Sequence, residues 1–181
     1  TLASINQSIR YSSFQNFGWF RKTTWDASGN LVGTVYPSLN GFSGSAQFFT
    51  PLELNRIEPA RMVIGGYERV NESLDQGANV TALTPDIRAR AFAYGGIASG
   101  IDTANVLWVA GNDGQGPAVK VRTTSGTMLA STAYSGASPV DILIDPDDWQ
   151  TAFVIDVDGK LWQTADMGAT FQDVTGTLSN V

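Results

Sequence analysis

The chain reads as an all-β protein built from repeated four-stranded antiparallel units, and three observations point there. The first is a turn that occurs twice. Ser73-Leu74-Asp75-Gln76-Gly77-Ala78-Asn79-Val80 and Thr164-Ala165-Asp166-Met167-Gly168-Ala169-Thr170-Phe171 both fit Ser/Thr-x-Asp-x-Gly followed two residues later by an apolar or aromatic side chain. The second is register. The two turns lie 91 residues apart, and that spacing aligns Leu52 to Thr84 with Leu143 to Thr175 without a gap. Seven identities fall in those 33 positions (Leu52/Leu143, Val63/Val154, Ile64/Ile155, Asp75/Asp166, Gly77/Gly168, Ala78/Ala169, Thr84/Thr175), where composition alone gives roughly two. The third is local pattern. Short runs of β-branched and aromatic residues alternate with Gly, Asn, Asp and Pro turns, and no window carries an apolar stripe at helical spacing.

Half of the 91-residue spacing is about 45 residues, the length of one four-stranded propeller blade. Units are therefore expected near 8–44, 45–88, 89–136 and 137–181, making a β-propeller segment that is partial or belongs to a larger ring. Candidate strands are Trp19 to Trp25, Leu31 to Tyr36, Ala46 to Thr50, Arg61 to Gly65, Arg69 to Ser73, Val106 to Ala110, Val119 to Thr123, Ala152 to Asp156 and Lys160 to Thr164. In the third unit Val106-Leu107-Trp108-Val109-Ala110 takes the place of the second strand. Asn112 to Pro117 reads as an insertion, and Val119 to Gly126 as a third strand with a degraded turn lacking its aspartate. In the first unit Thr24-Trp25-Asp26-Ala27-Ser28-Gly29 reads as a distorted copy of the repeated turn.

Within that turn each residue has a physical task. The carboxylates of Asp75 and Asp166 accept hydrogen bonds from amides of their own loop, as Asx-turns do. The Ser73 and Thr164 hydroxyls close the loop from the strand end, Gly77 and Gly168 supply positive φ, and Phe171 (Val80 in the other copy) returns inward to pack between units. The expectation for all of these is structural, with no ligand contact.

Composition bounds the function. Of 181 residues, 43% are hydrophobic and 15% charged, which argues for a packed core and against disorder. Net charge is −6 with Lys and Arg scattered, so neither nucleic acid nor an anionic membrane surface is an expected partner. No apolar run approaches the roughly 18 residues that span a bilayer. There is no Cys and no His, which removes disulfides, thiol nucleophiles, Ser-His-Asp mechanisms and the usual zinc sites. The chain begins at Thr1, implying a processed N-terminus or a piece of something longer. An N-terminal Thr nucleophile is disfavoured because those hydrolases layer helices on sheets.

The two clean turns resemble the Asp-box, or BNR repeat, of sialidases, sortilin-type receptors, xyloglucanases and a photosystem assembly factor. The chain also resembles large secreted or surface proteins of bacteria, where stretches such as Leu54 to Arg61 and Ile144 to Trp149 precede a strand. The resemblance implies a propeller, with the box on the rim away from the ligand face. A sialidase would need three arginines gripping a carboxylate, a Tyr/Glu pair and an acid aspartate. None of the eight arginines has the Arg-Ile/Leu-Pro context of that triad, so no catalytic residue is carried over.

Other constellations favour their plainer reading. Asp145, Asp147, Asp148, Asp156 and Asp158 form the densest carboxylate group. Calcium would need such oxygens to converge, whereas Asp145-Pro146-Asp147-Asp148 and Asp158-Gly159 already read as turns, and a metal role stays open. Phe14, Phe17, Trp19, Phe20 and Trp25 fill space between units more readily than they bind sugars. Asn71 and Asn79 head glycosylation sequons that overlap the repeated turn. No cofactor is expected. The functional expectation is a binding or scaffolding module of a secreted or cell-surface protein, its partner a carbohydrate, a protein or further blades of the same or another chain. The alternative is a glycoside hydrolase fragment with catalytic carboxylates partly elsewhere.

Overall fold

The computed structural model describes residues 7–176. Four antiparallel sheets follow one another along the chain, each a meander whose strands pair in sequence order. The first holds β1 (Ser8–Ser12), β2 (Arg21–Trp25) and β3 (Leu31–Val35). The second holds β4 (Leu52–Leu54), β5 (Met62–Gly65), β6 (Val70–Ser73) and β7 (Thr81–Ala82). The third holds β8 (Arg88–Ala98), β9 (Ile101–Asp113), β10 (Gly116–Arg122) and β11 (Ala130–Ser131). The fourth holds β12 (Pro139–Ile144), β13 (Ala152–Asp156), β14 (Leu161–Thr164) and β15 (Gln172–Asp173). A single 3-10 turn, Gln15–Phe17, lies between β1 and β2. This is an all-β propeller architecture, with the sheets as blades.

The core lies between the sheets. Met62, Ile64 and Val80 of the second sheet pack on Phe17 and Phe20 from the first. Val63, Val70 and Leu83 use the opposite face to meet Phe92, Tyr94, Leu107 and Val109 of the third sheet. Val106, Trp108, Ala110, Val119 and Val121 then meet Ile142, Ala152 and Val154 of the fourth. Side chains alternate across a strand, so an unbroken apolar run such as Val106 to Ala110 is what a strand covered on both faces requires. The outward face of the fourth sheet is different: Leu143, Ile155 and Val157 are exposed.

The inner strands escape simple strand signals. β8 runs Arg-Ala-Arg-Ala-Phe-Ala-Tyr-Gly-Gly-Ile-Ala, rich in small residues, because other chain segments press on it. A Cβ on Gly95 would stand 2.6 Å from the Asn55 side chain, and one on Gly96 would stand 2.4 Å from Trp149 Cβ.

Three expectations need correction. The repeat is not gapless. Four residues separate the paired Gly65 and Val70, but five separate Ile155 and Leu161, so the β13–β14 hairpin carries one extra residue. Leu52 pairs with Ile64 as Ile142 pairs with Val154, so the true equivalents before that hairpin are 90 residues apart: Leu52/Ile142, Val63/Phe153 and Ile64/Val154. The identities Leu52/Leu143, Val63/Val154 and Ile64/Ile155 are therefore fortuitous. The insertion read at Asn112 to Pro117 lengthens the β9–β10 hairpin: eight residues separate the paired Ala110 and Val119 where four separate Gly65 and Val70, and Gly116 pairs with Asp113 near its tip. Ala46 to Thr50 is not a strand, making only a single bridge from Ala46 to Gly66.

The third correction concerns Asp26, which is not a copy of the repeated turn. Its Oδ1 accepts from the amides of Ser28 and Asn30, and its own amide donates to Asn30 O. Asp156 does the same with Asp158 and Lys160. In both hairpins only the glycine, Gly29 or Gly159, has positive φ. The repeated turn instead has two such residues in succession, Gln76-Gly77 and Met167-Gly168.

Candidate functional site

The blades give the molecule two chemically different ends. At one end lie the repeated turns and the β4–β5 and β12–β13 loops. Ser73 Oγ donates to Asp75 Oδ1 at 2.9 Å and accepts from the Gly77 amide at 2.8 Å. Asp75 Oδ1 accepts from the Asn79 amide and Oδ2 from Asn79 Nδ2. Thr164, Asp166, Gly168 and Thr170 make the same set, with the Thr170 hydroxyl standing in for the Asn79 amide group. These donors hold both carboxyls below their ordinary range, the backbone and side chain of Asn79 acting on Asp75 and the side chain and backbone of Thr170 on Asp166. Phe171 packs edge-on against Tyr134, and Val80 is buried.

Each turn also docks on the neighbouring loop of its own sheet. The Gln76 amide donates to Ala60 O, and the Met167 amide to Gln150 O. Those loops are built alike, since Asn55 Oδ1 accepts from Ile57 and Glu58 amides as Asp145 Oδ1 does from Asp147 and Asp148. Of the carboxylates flagged as a calcium option, Asp145, Asp148 and Asp156 accept from amides of their own turns, and among the described residues no three acidic groups converge. Asn71 is fully buried and held by Ser43, leaving no room for a glycan.

The third sheet carries an unexpected version of the turn. Its β10–β11 connection, 123–129, has the length of 74–80 and 165–171, and Arg122 stands where Ser73 and Thr164 stand. Arg122 Nη1 donates to Gly126 O at 2.9 Å, and the guanidinium grips Glu72 of the second sheet through two nitrogens. The Tyr94 hydroxyl also donates to Glu72 Oε1. Burial, then the Glu72 carboxylate, pushes the Tyr94 hydroxyl up to about 12.

The opposite end holds the main cleft, an open groove of about 490 Å³. Its walls include Phe48, Phe49, Pro51, Tyr67, Arg88, Arg90 and Val140, with no carboxylate. Phe48 and Phe49 meet edge to face at 4.9 Å, and Phe49 is 82% exposed. The Arg88 guanidinium lies 4.6 Å from the Tyr67 ring centre, and its Nε donates to Gln47. Gln47 is itself a buried brace, its amide donating to the carbonyls of Gly65, Gly66 and Ala89. Arg90 and Val140 both sit at bulges near the start of an inner strand, between Ala89 and Ala91 and between Pro139 and Asp141. A bulge re-aims its side chain out of the pleat, here into the groove. A second groove continues from the first through Tyr67 and Arg88 to Asn112, Asp113 and Gly114. Its acids are engaged: Asp113 pairs with Lys120, Asp86 with Arg69, and Glu68 accepts from the Ser45 amide.

The aromatic run singled out in the sequence splits up. Phe17 and Phe20 are core, Trp25 lies under Arg10, and Phe14 and Trp19 are exposed at the first sheet, away from the main groove. The groove aromatics Phe48, Phe49 and Tyr67 carried one legible signal: Phe-Phe-Thr-Pro in a segment between two sheets, where no core position calls for two adjacent rings.

No family model and no curated protein matches the chain. Solved structures do. An ancestral GH74 enzyme superposes with a TM-score of 0.63 at 12% identity, over 96% of this chain and 23% of its own. A GH74 enzyme of Niastella koreensis gives 0.56 at 16%, over 93% and 24%. YCF48 from Cyanidioschyzon merolae gives 0.51 at 16%, over 72% and 39%. The chain thus spans about a quarter of the GH74 enzymes' length and under half of YCF48. At these identities the likeness is one of fold, and it places the chain among propeller proteins.

Proposed function

We propose that this chain is a binding module of a secreted or cell-surface protein, and that it holds an extended carbohydrate or protein ligand along the groove at the end away from the repeated turns. The observation that carries this reading is the groove wall: exposed aromatic faces beside two guanidiniums, with the acids of the adjoining groove, Asp113, Asp86 and Glu68, already engaged. Aromatic rings stack on sugars or on apolar side chains, and Arg90 has no partner among the described residues. The repeated turns, read as Asp-boxes, act as staples of the blades and take no part in binding. The exposed face of the fourth sheet supports a scaffolding element in the same reading, with a further blade as its cover.

One observation favours a hydrolase as second reading. Glu53 on β4 is held above its ordinary range by partial burial and then by the neighbouring Asp141 on β12, so two inner strands present acids to each other. A carboxyl held above its ordinary range is what the acid of a glycoside-cleaving site needs. The test is titration of oligosaccharide and peptide panels by calorimetry, alongside turnover assays on aryl glycosides. Saturable binding abolished by Phe49→Ala, without turnover, is the expected result. Turnover lost in Glu53→Gln would replace the binding module by the hydrolase.

A further inference from the structure

We propose that β3 is a pairing edge and that its occupant is β3 of a second copy of this chain. The second, third and fourth sheets end on outer strands only two residues long, β7, β11 and β15. Short edges of that kind leave little backbone for another strand to pair with. The first sheet has three strands instead of four and ends on β3, five residues long and exposed at every position. Its sequence, Leu31-Val32-Gly33-Thr34-Val35, contains no charge and no proline, the two devices that normally guard an edge. Among the described residues β3 pairs only with β2, so its outer row of amides and carbonyls faces away from the sheet.

The same strand suits itself as partner. Antiparallel pairing about a two-fold axis at Gly33 sets Leu31 opposite Val35 and Val32 opposite Thr34, apolar or β-branched pairs with no like charges opposed. A Cβ on Gly33 would meet nothing within 4 Å, so the centre of the pair is open to close approach. The product is one continuous six-stranded sheet spanning two copies.

Sedimentation of the purified chain over a wide concentration range is the test. The expected result is a rise from one to two chain masses, with slowed hydrogen exchange of the outward-facing amides among 31–35 in the heavier species. Val32→Lys combined with Thr34→Lys is expected to keep the chain monomeric at every concentration while leaving its circular dichroism unchanged, since both side chains are exposed. Gly33→Cys should cross-link copies on mild oxidation, the chain having no other cysteine, whereas Ser28→Cys at the hairpin tip should not. A chain that stays monomeric throughout, a dimer that survives both lysines, or a monomer whose outward-facing β3 amides are already protected would each overturn the proposal.

Discussion

The repeated turns of the second and fourth sheets and the Arg122 turn of the third solve one geometric problem by two kinds of chemistry. All three connections have the same length and enter from the same strand position. In the first two, a hydroxyl and a carboxylate from the loop itself bind the loop amides, so closure is local. In the third, a guanidinium binds the loop carbonyl of Gly126 and carries its charge to Glu72 on the neighbouring sheet. Closure there is a long-range contact, made only once two sheets have packed. The difference teaches that the length of the turn, more than its Asp, is what the blade demands.

The largest expected effect separates these two solutions. Glu72→Ala leaves Arg122 buried without its counter-charge and should cost about 3–5 kcal/mol in denaturant unfolding. Replacing Glu72 and Arg122 together by Leu and Met should recover much of that loss. If the single variant costs no more than a surface substitution, the clamp is not what closes the third turn. Ser73→Ala removes the acceptor of the buried Gly77 amide and should cost about 1–3 kcal/mol by the same measurement.

A smaller effect distinguishes them by pH. The folded pKa values of Asp75 and Asp166 lie below their unfolded value of about 3.9. Their contribution is therefore fully present above that unfolded value and is lost as pH falls through the folded one. Thermal unfolding followed from pH 5 downward should weaken below about pH 4, and less steeply in a chain carrying Asp75→Asn and Asp166→Asn. The smallest expected change is in Phe49→Ala. Its ring is exposed, so stability should shift by less than about 0.5 kcal/mol even though groove binding is expected to fail.

Legibility followed whether the cause was local. The paired motifs marked their turns because hydroxyl, carboxylate and glycine act within a few residues of one another. The degraded turn at Val119 to Gly126 was visible as a place, but Arg122 was not visible as its clamp, since Glu72 lies 50 positions earlier in the chain. The hairpin at Asp26 shares composition with the repeated turn, and only the pattern of positive φ tells them apart. The extra residue between Ile155 and Leu161 was hidden because Val and Ile recur on both faces of these strands, so chance identities masked a one-residue slip.

The groove belongs to the same class. Its rings and arginines come from the segment before β4, the β5–β6 hairpin and the start of β8, and two bulges aim Arg90 and Val140 into it. The sequence alone determined an all-β repeat of blade length, with Asp-Gly turns stapling two of its units, because alternation, turn chemistry and spacing are short-range properties of the chain. The tertiary structure alone decided which faces of each strand meet, where the buried Glu72–Arg122 pair forms, and which end gathers a cleft. Those outcomes depend on how neighbouring sheets pack, and packing brings together residues whose separation in sequence carries no trace of it.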